Sequence, residues 1–139
     1  MTYKEQQALF QEKSKRRKRK IYGSEDQEQI ALFSWASYAR MRLPGLELMF
    51  AIPNGGLRDK AVAAKMKATG TRAGVPDIFL PVPRGSYHGL WIELKVGYNK
   101  PSDIQKWWLG NLEARGYAVA VCYGWGEAQE AITKYLKQE

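Results

Sequence analysis

The sequence has almost none of the soft ligands from which proteins build zinc sites and disulfide frameworks. Its 139 residues include one cysteine, Cys122, and one histidine, His88. A single cysteine excludes an intramolecular disulfide, and one cysteine with one histidine cannot complete a tetrahedral zinc site from soft ligands. Any metal that the protein binds must therefore be a hard cation held by oxygen atoms.

Long apolar runs are absent as well. No segment approaches the ~18 apolar residues of a membrane-spanning helix, and residues 1–20 lack the apolar stretch of a signal peptide. We therefore expect a cytoplasmic protein. Charged residues make up only 26% of the chain, against 45% hydrophobic ones, which excludes a disordered chain and predicts one compact domain with its own core.

Acidic residues are few relative to basic ones. The chain has 22 Lys and Arg against 14 Asp and Glu, a formal charge of +8, which favours a polyanionic partner and, first of all, nucleic acid. Like charges cluster near the N-terminus, so we predict a basic arm over residues 1–20 and a nearly neutral domain over 21–139. A solvated tail or a nuclear-targeting sequence is the alternative. The arm's candidate DNA contacts are Lys15, Arg16, Arg17, Lys18, Arg19 and Lys20.

Hydrophobic periodicity and capping signals predict alternating helices and strands. Helices are expected at about 4–12, 25–42, 58–69, 103–115 and 127–136, and strands at 46–52, 77–80, 90–95 and 117–123. This order suits a mixed β-sheet with helices on both faces. The sequence therefore predicts an α/β fold.

Two carboxylates and an ammonium are expected to meet at one end of this sheet. Asp77 enters the first strand of the predicted hairpin, and Glu93 and Lys95 share one face of the second. A few carboxylates are what Mg²⁺ requires, and phosphodiester cleavage needs such a cation. The main-chain carbonyl of Leu94 is a further candidate ligand, Lys95 would orient the attacking water or offset charge, and Glu28 is a candidate for holding a water on the metal.

The combination of Pro76-Asp77 with Glu93-Leu94-Lys95 resembles the PD-(D/E)xK nuclease motif. Five ordered blocks extend this likeness, because they are similar to the virus-type replication-repair nuclease (VRR-NUC) family over about residues 24–136. The blocks are PNGGLR at 53–58, KATG at 67–70, GVPD at 74–77, IELK at 92–95 and SDIQKW at 102–107.

The resemblance implies a restriction-endonuclease-like fold and dependence on Mg²⁺ or Mn²⁺. It also implies that the active site contains Glu28, Asp77, Glu93, Lys95 and Gln105. Small stand-alone members look phage-borne and resemble Holliday-junction resolvases in working as homodimers. The expectation is therefore a phage-encoded, dimeric endonuclease that cuts four-way junctions in a bacterial host cell. The alternatives are a less selective nuclease acting on flaps or duplex, and a DNA-binding accessory protein without catalysis.

Two of these site residues have a structural alternative. Glu28 lies with Glu25 and Asp26 at a helix N-terminus, where acidic residues are favoured for dipole reasons alone. Gln105 is the third helical residue of a capping box, so its amide has the alternative role of capping the backbone of Ser102.

Further DNA contacts and a dimer surface are expected outside the acidic site. Asn54 and Gly55 either form only a tight turn or, with the cations Arg58, Lys67 and Arg72, bind phosphates. Because Trp107 and Trp108 cannot face the same way on one helix, one of them is a candidate for a subunit interface. The first helix around Trp35 and Tyr38 is the other candidate.

Overall fold

The computed structural model describes residues 2–6, 22–53 and 59–139. Within them, a four-stranded sheet of order β1-β2-β3-β4 is flanked by helices, as the predicted α/β class requires. The predicted DNA contacts at residues 15–20, 54, 55 and 58 lie outside the described residues. The elements are α1 (Glu25–Ala39), β1 (Phe50–Ala51), α2 (Lys60–Ala68), β2 (Ile78–Leu80), β3 (Leu90–Lys95), α3 (Asp103–Ala114), β4 (Ala118–Tyr123) and α4 (Gly124–Leu136).

The sheet combines a hairpin with one parallel pair. Strand β2 runs antiparallel to both β1 and β3, whereas β3 and β4 are parallel and are joined by α3. The apolar face of β3, formed by Leu90, Ile92 and Leu94, packs into a core with Leu32 of α1 and Ile132 of α4. Helices α1 and α4 therefore cover one face of the sheet, and the alternating side chains of β3 point to the other face.

Two predicted elements differ from the structure near the first turn. The predicted strand at 46–52 is wrong over Leu46–Leu48, which forms a turn of 3-10 helix. Gly45 supplies the left-handed φ of 99° at its start, and the Glu47 carboxylate accepts the Gly45 N–H. The helix predicted at 25–42 also ran too far, because it ends at Ala39 and the apolar Met41, which suggested a further turn, is 85% exposed.

Helix α2 is shorter than predicted and solvent-exposed. It begins after Asp59, whose side chain accepts the Val62 N–H as an N-cap, and none of its residues is buried. Its last turn carries Lys65 and Lys67, the end of a helix at which cations are favourable. Alanine-rich propensity and capping, and not a buried face, therefore maintain this helix.

Residues 2–6, the first part of the predicted arm, contact the domain. The Gln6 amide donates to the Val119 carbonyl at 2.8 Å and accepts from the Val121 N–H at 2.6 Å. The Gln6 amide thereby pairs with backbone groups on the outer edge of β4, as a neighbouring strand would. The Tyr3 N–H also donates to the Glu113 carboxylate at 2.6 Å. None of the described helices is long and apolar enough to cross a membrane.

Candidate active site

The hairpin register brings the two predicted carboxylates together. Ile78 pairs with Ile92 across antiparallel strands, so Asp77, one residue earlier, lies opposite Glu93. The Asp77 Oδ2 atom accepts the Leu94 N–H at 2.8 Å, which fixes its carboxylate at the end of β3. This is the juxtaposition that the sequence predicted.

Glu93 is almost completely buried, with 1% of the residue exposed. Its Oε1 atom accepts a hydrogen bond from Gln105 Nε2 at 2.7 Å and lies 3.4 Å from Lys95 Nζ. Its Oε2 atom is shielded from solvent and has no hydrogen-bond partner. Gln105 thus holds one oxygen in place, and the other is satisfied either by a proton shared with the neighbouring Asp77 carboxyl or by a bound cation.

Burial disfavours the charged form of both carboxylates. It raises the pKa of Glu93 to about 8, the negative charge of Asp77 adds to the increase, and Lys95 opposes it. Burial likewise raises the pKa of Asp77, against the hydrogen bond from the Leu94 N–H. Without a metal, two neighbouring carboxyls with raised pKa values tend to bind a proton. A divalent cation bound between them would replace that proton and keep both carboxyls ionised.

The donor set fits a hard divalent cation. The unpartnered Oε2 of Glu93 and the carboxylate of Asp77 are oxygen ligands, and the described part of the chain has no group of three or more His, Cys, Asp or Glu residues suited to a metal. Mg²⁺ needs only one or two protein carboxylates because it keeps several waters. The site therefore suits Mg²⁺ or Mn²⁺ and does not suit zinc. Leu94 as a carbonyl ligand stays a prediction.

Gln105 forms the capping contacts of its structural alternative and also contacts the acidic pair, and its catalytic role stays a prediction. Its Oε1 accepts the Ser102 N–H at 2.9 Å, and Ser102 Oγ accepts the Gln105 N–H at 3.3 Å, which completes the capping box of α3. The other end of the same amide donates to Glu93. The N-terminus of α3 is thus joined directly to the acidic pair.

Glu28 joins two helix N-termini. Its carboxylate accepts the Gly23 N–H at 3.3 Å, just before α1, and the Trp125 N–H at 3.1 Å, in the first turn of α4. A carboxylate at two helix N-termini is favoured by both dipoles. These contacts support the structural alternative for Glu28, and its catalytic role stays a prediction.

Glu25 is the residue that the sequence did not single out. After burial, its charge contributes to the raised pKa of both Asp77 and Glu93. Glu25 is exposed at the first position of α1, and its position in the sequence does not distinguish it from Glu28. Only the packing of α1 against the sheet shows which of the two carboxylates is close to the acidic pair.

The remaining described candidates lie on the surface. Lys67 and Arg72 are exposed at the end of α2 and in the loop after it, and Arg72 Nη1 donates to the Lys67 carbonyl at 3.3 Å. Trp108 donates its indole N–H to the Ala73 carbonyl at 3.0 Å, whereas Trp107 is 57% exposed. Trp107 is therefore the outward-facing member of the tryptophan pair.

Comparison with known proteins agrees with this geometry. The VRR-NUC domain model matches residues 23–125. A solved structure of a VRR-NUC domain protein superimposes with a TM-score of 0.72 at 29% sequence identity, over 84% of this chain and 91% of that one. No curated protein matches the chain significantly.

The VRR-NUC domain is a nuclease domain, and a nuclease domain of this family implies DNA as the substrate. The family match covers most of the chain and includes Asp77, Glu93 and Lys95. The chain belongs to the VRR-NUC family.

Proposed function

We propose that the protein is a dimeric, divalent-metal-dependent DNA endonuclease that cleaves four-way junctions. The observation that carries the proposal is the buried Glu93 and the half-buried Asp77 beside Lys95, with one Glu93 oxygen that has no hydrogen-bond partner among the described residues. A pair of this kind is costly to the fold unless it binds a proton or a cation, and only a cation relieves the cost with both carboxylates ionised. Its position supports catalysis over an incidental surface pair.

Each residue of the site has a defined task in phosphodiester hydrolysis. Asp77 and Glu93 would hold the cation with the Leu94 carbonyl, and Gln105 keeps the Glu93 carboxylate in one orientation. The cation, when bound, supplies charge neutralisation at the scissile phosphate and lowers the pKa of water. Lys95 presents its ammonium 3.4 Å from Glu93, where it would orient the attacking water and stabilise negative charge as the phosphate reacts.

The dimer is proposed from substrate symmetry and exposed apolar surface. One chain has one acidic site, whereas resolution of a four-way junction requires two cuts related by a two-fold axis, which a C2 dimer provides. Tyr38 is 74% and Trp107 57% exposed, and such residues fit a subunit interface. Trp35 is partly buried and packs against the core on one side, so it offers less surface to a partner than Tyr38 does.

The decisive test is a panel of labelled junction, flap, single-stranded and duplex DNAs with Mg²⁺, Mn²⁺ or EDTA. We expect metal-dependent cleavage, fastest on the junction, and a dimer by light scattering at micromolar concentration. Equal rates on all DNAs would identify the less selective nuclease. Binding in EDTA with no cleavage in either metal would identify a DNA-binding accessory protein.

A further inference from the structure

A cleft of about 160 Å³ lies between the C-terminal halves of α1 and α4. Its lining residues include the aromatic Trp35, the cations Arg42 and Lys137, and the polar residues Gln129 and Thr133. This volume is more than ten times the ~10–15 Å³ that one water needs. The cleft therefore has room for a group of several heavy atoms.

The polar side chains of this cleft have no partners in the described parts of the chain. Arg42 and Lys137 form no side-chain ion pair or hydrogen bond with residues 2–6, 22–53 or 59–139. The Thr133 hydroxyl is shielded from solvent and likewise lacks a hydrogen-bond partner. Buried hydroxyls are normally satisfied, so beside the cleft lie an unused hydroxyl donor and two cations that no described residue pairs with.

We propose that this cleft binds a nucleotide of an unpaired DNA strand, with its phosphate on Arg42 and Lys137 and its base against Trp35. Two cations and a hydroxyl are the donors that phosphate takes in protein–DNA contacts. An indole beside them supplies the stacking surface on which proteins hold unpaired bases. An acidic peptide would pair its carboxylates with the two cations but would have no base to stack on the Trp35 ring, so a nucleotide fits the cleft better.

The position of the cleft makes it a contact separate from the acidic pair. Glu28 joins the N-termini of α1 and α4, and the cleft lies at the other end of the same two helices. At about 1.5 Å per helical residue, Trp35 lies roughly 10 Å along α1 from Glu28, and Thr133 lies roughly 12 Å along α4 from Trp125. This inference deepens the proposed function, since it rests on DNA being the substrate.

The test compares two double variants in EDTA, where no cleavage occurs. Arg42→Gln/Lys137→Gln removes the cleft cations, and Arg40→Gln/Lys134→Gln removes two cations from the ends of the same helices that do not line the cleft. The probe is fluorescein-labelled hexathymidylate, and its affinity is measured by anisotropy over a range of salt concentrations. The two variants have the same net charge.

We expect the cleft variant to bind about 10-fold more weakly than the control variant. Its log-log salt slope should fall by ~0.7 for each phosphate that it no longer neutralises, beyond any change in the control. Thr133→Val should weaken binding about 3-fold with an unchanged slope, because it removes a hydrogen bond and no charge. Equal affinities and slopes for the two double variants would overturn the proposal.

A second measurement separates a nucleotide from a bare anion. In heteronuclear NMR, hexathymidylate should shift the Trp35 indole resonance, and inorganic phosphate at equal concentration should leave it unmoved. Equal shifts with both would overturn the assignment of a base to this cleft. If the wild type cleaves no DNA with either metal while the cleft effects appear, the nuclease proposal fails and this inference stands.

Discussion

The two ends of the α1–α4 helix pair differ in charge, burial and hydrogen bonding. At the N-terminal end, Glu28 is hydrogen-bonded to both helices, and the charge of Glu25 acts on the buried acidic pair. At the C-terminal end, Arg42 and Lys137 lie on an open cleft without partners among the described residues. Catalysis needs groups fixed in advance, whereas phosphate binding tolerates mobile cations. We therefore expect catalysis at the N-terminal end of the helix pair and phosphate binding at its C-terminal end.

Removing a carboxylate from the acidic end should have the largest effect. We expect Asp77→Asn or Glu93→Gln to reduce DNA cleavage by ~10³-fold or more, because each removes a proposed ligand for the metal. Lys95→Ala should be nearly as damaging. DNA binding should be intact or tighter, since negative charge facing phosphate is removed. The measurement is cleavage of a labelled junction with Mg²⁺.

The matched control for these variants is Glu130→Gln, an exposed carboxylate on α4. It should cut at the wild-type rate. Cleavage at that rate by either acidic-pair variant, with contaminating nuclease excluded, would show that the acidic end is not the catalytic one.

The stability of the metal-free protein should depend on the proton that Glu93 binds. Burial raises the pKa of Glu93 from the ordinary value of 4.5 to about 8. The stability that comes from protonating Glu93 in the folded protein is therefore fully present below pH 4.5 and is lost as the pH rises through about 8. Glu93→Gln should therefore stabilise the protein at pH 8 in EDTA, by on the order of 1–3 kcal/mol.

The measurement for this prediction is thermal unfolding in EDTA between pH 5 and 9. Wild type should lose more stability over this range than Glu93→Gln, and saturating Mg²⁺ should reduce the loss because it replaces the proton. Identical pH dependence in the two proteins would contradict the raised pKa.

Deleting the basic arm tests whether cations outside the domain contribute to DNA binding near the acidic end. Tyr22, directly after the arm, lies beside Gly124 at that end. Deleting residues 1–20 should weaken DNA binding and lower the salt slope by ~0.9 for each phosphate that the arm neutralises, without removing the chemistry. Deletion also removes Gln6 from the edge of β4, so a decrease in stability should accompany it.

Replacing the arm's cations by glutamine over residues 13–20 separates these two effects. That variant should have a lower salt slope but keep the wild-type melting temperature, whereas Gln6→Ala should lower the melting temperature and keep the slope. A full-length glutamine variant with an unchanged slope would show that the arm does not touch DNA.

Local signals in the sequence were enough to predict the hairpin and its carboxylates. Strand alternation places Glu93 and Lys95 on one face, and the observed β3 has the predicted bounds, Leu90–Lys95. The predicted strand at 46–52 was wrong in part because a short apolar run fits a buried 3-10 turn as well. The cleft and the proximity of Glu25 to the acidic pair depend on helix packing, which no local pattern contains.

The smallest expected effect distinguishes the two glutamates of α1. Glu25→Gln should lower the pKa of Glu93, because it removes a negative charge that helps burial to raise it. The pH dependence of unfolding should then shift to lower pH with little change in stability at pH 5. Glu28→Gln should instead weaken two hydrogen bonds at helix N-termini and cost about 1 kcal/mol at every pH. Thermal unfolding of both variants from pH 5 to 9 in EDTA measures the difference, and a shifted pH profile in Glu28→Gln alone would reverse the assignment and return Glu28 to the acidic site.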